Sequence, residues 1–162
     1  MLDYATKIVN RQNLKAKLTQ LEQPIVFTNG CFDILHRGHI TYLQQARNLG
    51  SSLIVGVNSD ASVKRQNKGS DRPINTLEDR MALLASLECV DAVIDFDEDT
   101  PIKLIEIVTP QILVKGGDWK VENIVGAEHV KSHGGQVHSI AFEHDRSTTS
   151  LLKRIRASDP TA

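Results

Sequence analysis

Two histidines, His36 and His39, enclose an Arg-Gly pair inside FTNGCFDILHRGHI, residues 27–40, directly after a short apolar run. Imidazoles one helical turn apart can face one ligand, as metal ligands, as a general base, or as donors that hold phosphate oxygens and offset charge growing in a transition state. A metal site would need a third ligand. None stands at a workable spacing: His129, His133, His138 and His144 are scattered, and Cys31 and Cys89 are unpaired by any Cys-x-x-Cys. No metal site is therefore expected in the protein. Gly30 permits a sharp turn, and Gly38 lets backbone approach a ligand where a side chain would block it.

Three other stretches carry polar chemistry. RSTTSLLKRI, residues 146–155, sets Ser147, Thr148 and Thr149 at a helix start, where hydroxyls and free amides either cap the helix or cradle phosphate. VKGGDW, residues 114–119, places Gly116, Gly117, Asp118 and the chain's one Trp, Trp119, after a strand, as a tight turn with an aromatic anchor or as a ligand wall. KRQNKGSDRPIN, residues 64–75, holds Lys64, Arg65, Lys68 and Arg72 with almost nothing apolar. It reads as a mobile basic loop, either solvated or reaching for polyanions.

These residues need elements to hold them. Apolar runs at 24–29, 52–58, 91–96, 111–116 and 136–142 read as strands, and between them residues 39–50, 75–90, 100–108, 122–135 and 147–157 carry apolar side chains at spacings of three and four. Alternation of this kind predicts α/β architecture: a Rossmann-like, doubly wound, parallel five-stranded sheet with helices on both faces. Gly50 is expected to cap the helix that precedes it, with Leu43, Ala46 and Leu49 on its inner face, and Leu83, Leu84, Leu87 and Val90 do the same for the middle helix. Residues 1–23 read as an N-terminal amphipathic helix packed on a core formed by 24–157, one domain in all. In such a sheet ligands bind beyond the carboxyl ends of the strands, which is where GCFDILHRGH falls.

Composition narrows the partners. With 162 residues, 40% of them hydrophobic, the chain suits one core. A net charge of −1 provides no general field for nucleic acid or an anionic membrane. No apolar run approaches spanning length and no signal-peptide core opens the chain, so a soluble cytoplasmic protein is expected.

Taken in order, GCFDILHRGH, the basic loop, Arg80 on the middle helix, the GGDW turn and the STT helix resemble the nucleotidyltransferases of the cytidylyltransferase type. The stretches VNSDASVKR, RPINTLEDRMALLASLECVDAVIDFDEDTP and LVKGGDW are similar, within that family, to the group that makes ADP-heptose for the lipopolysaccharide inner core. The resemblance runs from about residue 25 to residue 155. It implies attack of a heptose 1-phosphate on the α-phosphorus of ATP, with Mg²⁺ accompanying the nucleotide, a separate sugar kinase supplying the substrate, and a homodimer.

It also implies roles. His36 and His39 meet the triphosphate, Cys31 and Phe32 offer backbone to the nucleotide beside Gly38, and Asp33 orients their loop. Lys68 reaches the phosphates, with Lys64, Arg65 and Arg72 as competitors, and Arg80 joins them. Gly116, Gly117, Asp118 and Trp119 line the base and ribose end, and Ser147, Thr148 and Thr149 grip phosphate. FEHDRSTT departs from the family, which usually precedes S-T-T with an Arg and an acidic-Gly pair; either Arg146 takes over part of the phosphate contact or the nucleotide is held differently. The alternatives are a cytidylyltransferase acting on glycerol or alditol phosphate, and a nucleotide-binding module without turnover. A tRNA synthetase shares His-x-Gly-His but needs room for anticodon reading.

Overall fold

Runs rich in Val and Ile become parallel strands in the computed structural model, which describes residues 3–66, 69, 71–143 and 147–158. The strands are β1 (Ile8–Val9), β2 (Ile25–Gly30), β3 (Ser52–Asn58), β4 (Ala92–Phe96), β5 (Ile112–Gly116) and β6 (Gln136–Ile140). Their order across the sheet is β1-β4-β3-β2-β5-β6, with every pairing parallel. The seven helices described are α1 (Leu14–Leu18), α2 (Arg37–Arg47), α3 (Asp60–Arg65), α4 (Leu77–Ala85), α5 (Ile102–Val108), α6 (Ala127–Ser132) and α7 (Thr148–Ala157). None of them is long and apolar enough to cross a membrane.

Both faces of the sheet are covered, so its central strands carry near-continuous apolar runs rather than alternating ones. All seven residues of β3 are buried. One core layer gathers Phe27, Ile54, Ile94, Leu104 and Leu113; the other gathers Val26, Leu43, Val55, Leu84 and Val114. Each such side chain contributes about 1.5–3 kcal/mol on burial. Strand β2 lies centrally, with β3 on one side and β5 on the other. The chain winds in opposite directions from it, and a crevice forms where the β2 and β5 ends diverge.

The doubly wound architecture is as expected, with differences in detail. The sheet has a sixth strand, because the β-branched pair Ile8–Val9 joins the edge beside Val93 and Ile94. In place of one helix over residues 1–23 there is a 3-10 turn (Tyr4–Lys7), then β1, then α1. Asn10 breaks the helical path: its Oδ1 accepts from the Gln12 and Asn13 amides at 2.9 and 3.0 Å, the kind of local turn that competes with helix.

Gly50 is no left-handed cap. A Cβ there would stand 2.6 Å from the Pro24 carbonyl oxygen, so its small size admits the chain entering β2. Leu49 and Leu83 are exposed, whereas Arg80, one turn before Leu84, is fully buried. The basic segment at 64–75 is partly helical, since α3 continues to Arg65.

Candidate functional site

The loop after β2 turns sharply at Phe32, which adopts φ +48, not at Gly30. A Cβ on Gly30 would lie 3.0 Å from the Phe32 ring, so that ring folds back over the glycine. His36 then stands at the N-cap of α2, with Gly38 buried in its first turn. The His36 and His39 rings stack with centroids 3.9 Å apart, and Phe32 meets His39 edge-on at 5.3 Å.

Burial, and secondarily the neighbouring His36, lower the His39 pKa to about 4, while the Ile34 main chain pulls the other way. His39 is therefore a neutral imidazole at pH 7. Its buried Nδ1 has no hydrogen-bond partner of acceptable geometry among the described residues.

A cavity of about 230 Å³ opens against this ring, lined by Cys31, Phe32, Asp33, His39, Arg72, Thr148 and Thr149. Three segments distant in sequence thus converge. The first turn of α7 borders the cavity through Thr148 and Thr149, and helix N-termini suit anions. Thr148 is buried and its hydroxyl reaches the Ile34 carbonyl at 3.5 Å. Ser147 instead caps the helix: its Oγ accepts from the Ser150 amide at 3.0 Å and Ser150 reciprocates. The capping reading holds for Ser147, while both threonines face the cavity.

Asp33 is committed to the protein rather than to a ligand. Its buried carboxylate accepts from Arg72 Nε, from the Ile74 amide at 2.8 Å and from the Asn75 amide at 2.9 Å. It thereby holds the 72–75 segment against the site. Arg72 is the member of the basic stretch that lines this cavity. Arg65 is drawn away to Asp99, Lys64 is exposed on α3, and Lys68, like Arg146, lies outside the described residues.

Arg80 also works from beneath. Its guanidinium donates to the Cys31 carbonyl at 2.6 Å, the Asn75 carbonyl at 3.2 Å and Asp60 Oδ1 at 2.8 Å, with no exposed surface. It touches the site through the backbone of Cys31, not directly.

Beyond Cys31 lies a second cavity, about 220 Å³, over the ends of β2, β3 and β5. Of the GGDW turn only Trp119 enters it. Asp118 is exposed, Gly117 makes the turn at φ +112, and Gly116 lies under Phe142, whose ring would stand 2.7 Å from a Cβ there. The remainder of the wall includes Asn29, Asn58, Gln66 and Asn123, none of which the sequence singles out. Amides have no diagnostic spacing; the available signal is that Asn29 and Asn58 fall at or next to strand ends, where this fold binds ligands. Among the described residues no group of three His, Cys, Asp or Glu side chains could hold a metal ion.

A family model described as cytidylyltransferase-like matches residues 27–154. The chain is 53% identical over 155 residues to the D-beta-D-heptose 1-phosphate adenylyltransferase of Bordetella bronchiseptica, covering 94% of this chain and 96% of that protein. It is 58% identical over 134 residues to the bifunctional protein HldE of Pseudomonas paraeruginosa, covering 83% of this chain but only 28% of that one. Among solved structures, the lipopolysaccharide core biosynthesis protein of Thermoplasma volcanium superposes with a TM-score of 0.59 at 33% identity, over 75% of this chain and 98% of that one. A pantoate-beta-alanine ligase from Francisella tularensis, 19% identical with a TM-score of 0.59 over 88% of this chain and 68% of its own, shares the fold.

Proposed function

We infer the function from the family, for this chain belongs to the cytidylyltransferase-like proteins. It is a nucleotidyltransferase that joins ATP to D-glycero-β-D-manno-heptose 1-phosphate, giving ADP-heptose and pyrophosphate for lipopolysaccharide inner-core synthesis. The observation that carries this reading is the convergence of His39, Arg72 and the α7 N-terminus on one cavity at the switch point of the sheet. The names of the Bordetella and Pseudomonas relatives support the choice of sugar and of pathway.

An oxygen of the sugar phosphate attacks the α-phosphorus of ATP, the bond to the bridging oxygen breaks, and pyrophosphate leaves. No enzyme nucleophile is needed, because the attacking oxygen is already ionised. The protein's task is to align two polyanions and offset the charge between them. Arg72 supplies a fixed positive charge, the α7 amides and threonine hydroxyls supply donors, and His36 and His39 supply N–H groups near the scissile bond. A polyanion beside His39 favours its protonated form, opposing the burial that keeps it neutral in the free protein. Asp33 and Arg80 act as positioning residues.

Mg²⁺ would accompany ATP as part of the substrate, where it would offset triphosphate charge. The engagement of Asp33 with Arg72 fits that expectation. A sugar-phosphorylating activity must supply the anomeric phosphate. Single-domain organisation and a homodimer remain part of the reading; the exposed Tyr4 and Leu83, on elements that pack together, support self-association, and a solution mass of twice 17.9 kDa tests it.

The decisive assay is incubation with ATP, Mg²⁺ and heptose 1-phosphate, followed for ADP-heptose and pyrophosphate. Absence of both products would refute the assignment. ATP is expected to exceed CTP by at least about tenfold in kcat/KM, which corresponds to about 1.4 kcal/mol of transition-state binding.

A further inference from the structure

Strands β2 and β5 separate early. They pair only at Val26↔Ile112 and Phe27↔Leu113, although β2 continues to Gly30 beside β3 and β5 continues to Gly116 beside β6. Buried main-chain groups that a longer ladder would have joined need another partner. Tyr42 supplies it for the Val114 carbonyl. Its hydroxyl reaches in from α2, bonds Thr28 Oγ1 on β2, and donates to that carbonyl on β5 at 3.4 Å. The phenol has one proton, so the arrangement that satisfies both contacts has Thr28 donating to Tyr42 and Tyr42 donating to Val114. Thr28 and Tyr42 are both buried, so neither hydroxyl has water as an alternative partner.

The ring is held as firmly as its hydroxyl. Phe142, beyond β6, meets it edge-on with centroids 5.5 Å apart, and a Cβ on Gly116 would stand 3.2 Å from Tyr42 and 2.7 Å from Phe142. The glycine at the end of β5 makes room for the tyrosine that props that end. Burial raises the phenol's pKa above its ordinary value, against smaller opposing pulls from Thr28 and the Gly116 main chain, so the hydroxyl keeps its proton at neutral pH.

Three parts of the site meet at this side chain. Tyr42 lies one turn beyond His39 on α2, and Thr28 leads into the loop that carries Cys31. Gly116 opens the GGDW turn, and its carbonyl accepts from Trp119 Nε1 at 3.1 Å. We infer that Tyr42 is a positioning residue: its hydroxyl sets the width of the cleft between β2 and β5, and so the placing of His39 against the bound polyanions. The inference rests on the adenylyltransferase reading and adds to it a residue that lines neither cavity.

Tyr42→Phe keeps the ring and deletes the hydroxyl. Tm should fall by about 3–6 °C, as for one lost buried hydrogen bond. Per folded molecule, kcat should fall at least about tenfold, because a reaction that depends on alignment is sensitive to small misplacements. KM for ATP should stay within about threefold, the split expected when alignment in the transition state is lost rather than binding. Thr28→Val, similar in shape but without the hydroxyl, should reproduce the loss, and Thr28→Ser should recover most of it. The double variant Tyr42→Phe, Thr28→Val should cost little more than either change alone, since the two hydroxyls act as a unit. Should Tyr42→Phe fail to fold, Thr28→Val carries the same readings.

Trp119, the chain's one Trp, gives a measurement independent of turnover. Acrylamide quenching of its emission should rise in Tyr42→Phe and in Thr28→Val, because the Gly116 carbonyl that holds the indole shifts with β5. Wild-type turnover per folded molecule in these variants, with a lower Tm alone, would overturn the inference. Unaltered quenching would overturn it as well. A wild-type protein that makes no ADP-heptose would refute the reaction instead, and quenching would still decide whether Tyr42 sets the cleft.

Discussion

Replacing His39 by Ala is expected to lower kcat by about 10²-fold or more while the circular dichroism spectrum stays native, since a single donor aimed at developing charge is worth that much. Full turnover in the variant would remove His39 from the chemistry. The same residue gives the free protein an acid-labile component of stability. With a pKa near 4 in the folded state against 6.5 ordinarily, His39 is neutral in both states above pH 7, and its contribution is fully present there. As pH falls through 6.5 the unfolded chain takes up the proton first, and stability drops until both states hold it near pH 4. The loss amounts to at most about 3 kcal/mol. In His39→Gln, urea midpoints at pH 7 and pH 4.5 should differ less than in the wild type; an unchanged difference would assign the acid limb to other groups.

At the scale of elements, α7 is held to the site by its first turn, where Thr148 is its buried residue. Ser147→Ala removes a cap worth about 1 kcal/mol. Because that turn faces the phosphate cavity, KM for ATP should rise severalfold while Tm falls by about 2–4 °C. A variant with unaltered KM would show that the turn does not touch nucleotide. Elements are also where the sequence was most legible. The runs Leu53–Val57, Ala92–Ile94 and Ile112–Val114 are continuously apolar because both sheet faces are buried, and such runs announce themselves. Ile8–Val9 is too short to show a period and becomes a strand by finding an edge. Arg72, His39 and the threonines were visible from residue type. The inward turn of Asp33 and Arg80, and the amides around Asn123, were not, because partners supplied by Ile74, Asn75, Asp60 and Cys31 lie tens of residues away.

For the molecule as a whole, the buried Arg80 has consequences beyond its bonds. Arg80→Met would leave Asp60 and the Cys31 and Asn75 carbonyls without their donor. A loss of about 2–4 kcal/mol is expected, mainly from the carbonyls left without a donor, since the Asp60 side chain is 42% exposed and is rehydrated, and thermal denaturation would measure it. One guanidinium ties the loop after β2, the start of α3 and the segment entering α4 to a common point. Walls of both cavities therefore cannot loosen separately. In native-state hydrogen exchange, amides near Cys31, Ser62 and Asn75 should open as one cooperative unit with a shared free energy, and in Arg80→Met they should open independently. A protein so arranged exchanges its substrates without letting one half of the site melt while the other stays folded, so that nucleotide and sugar phosphate meet a receptor that is either assembled or absent.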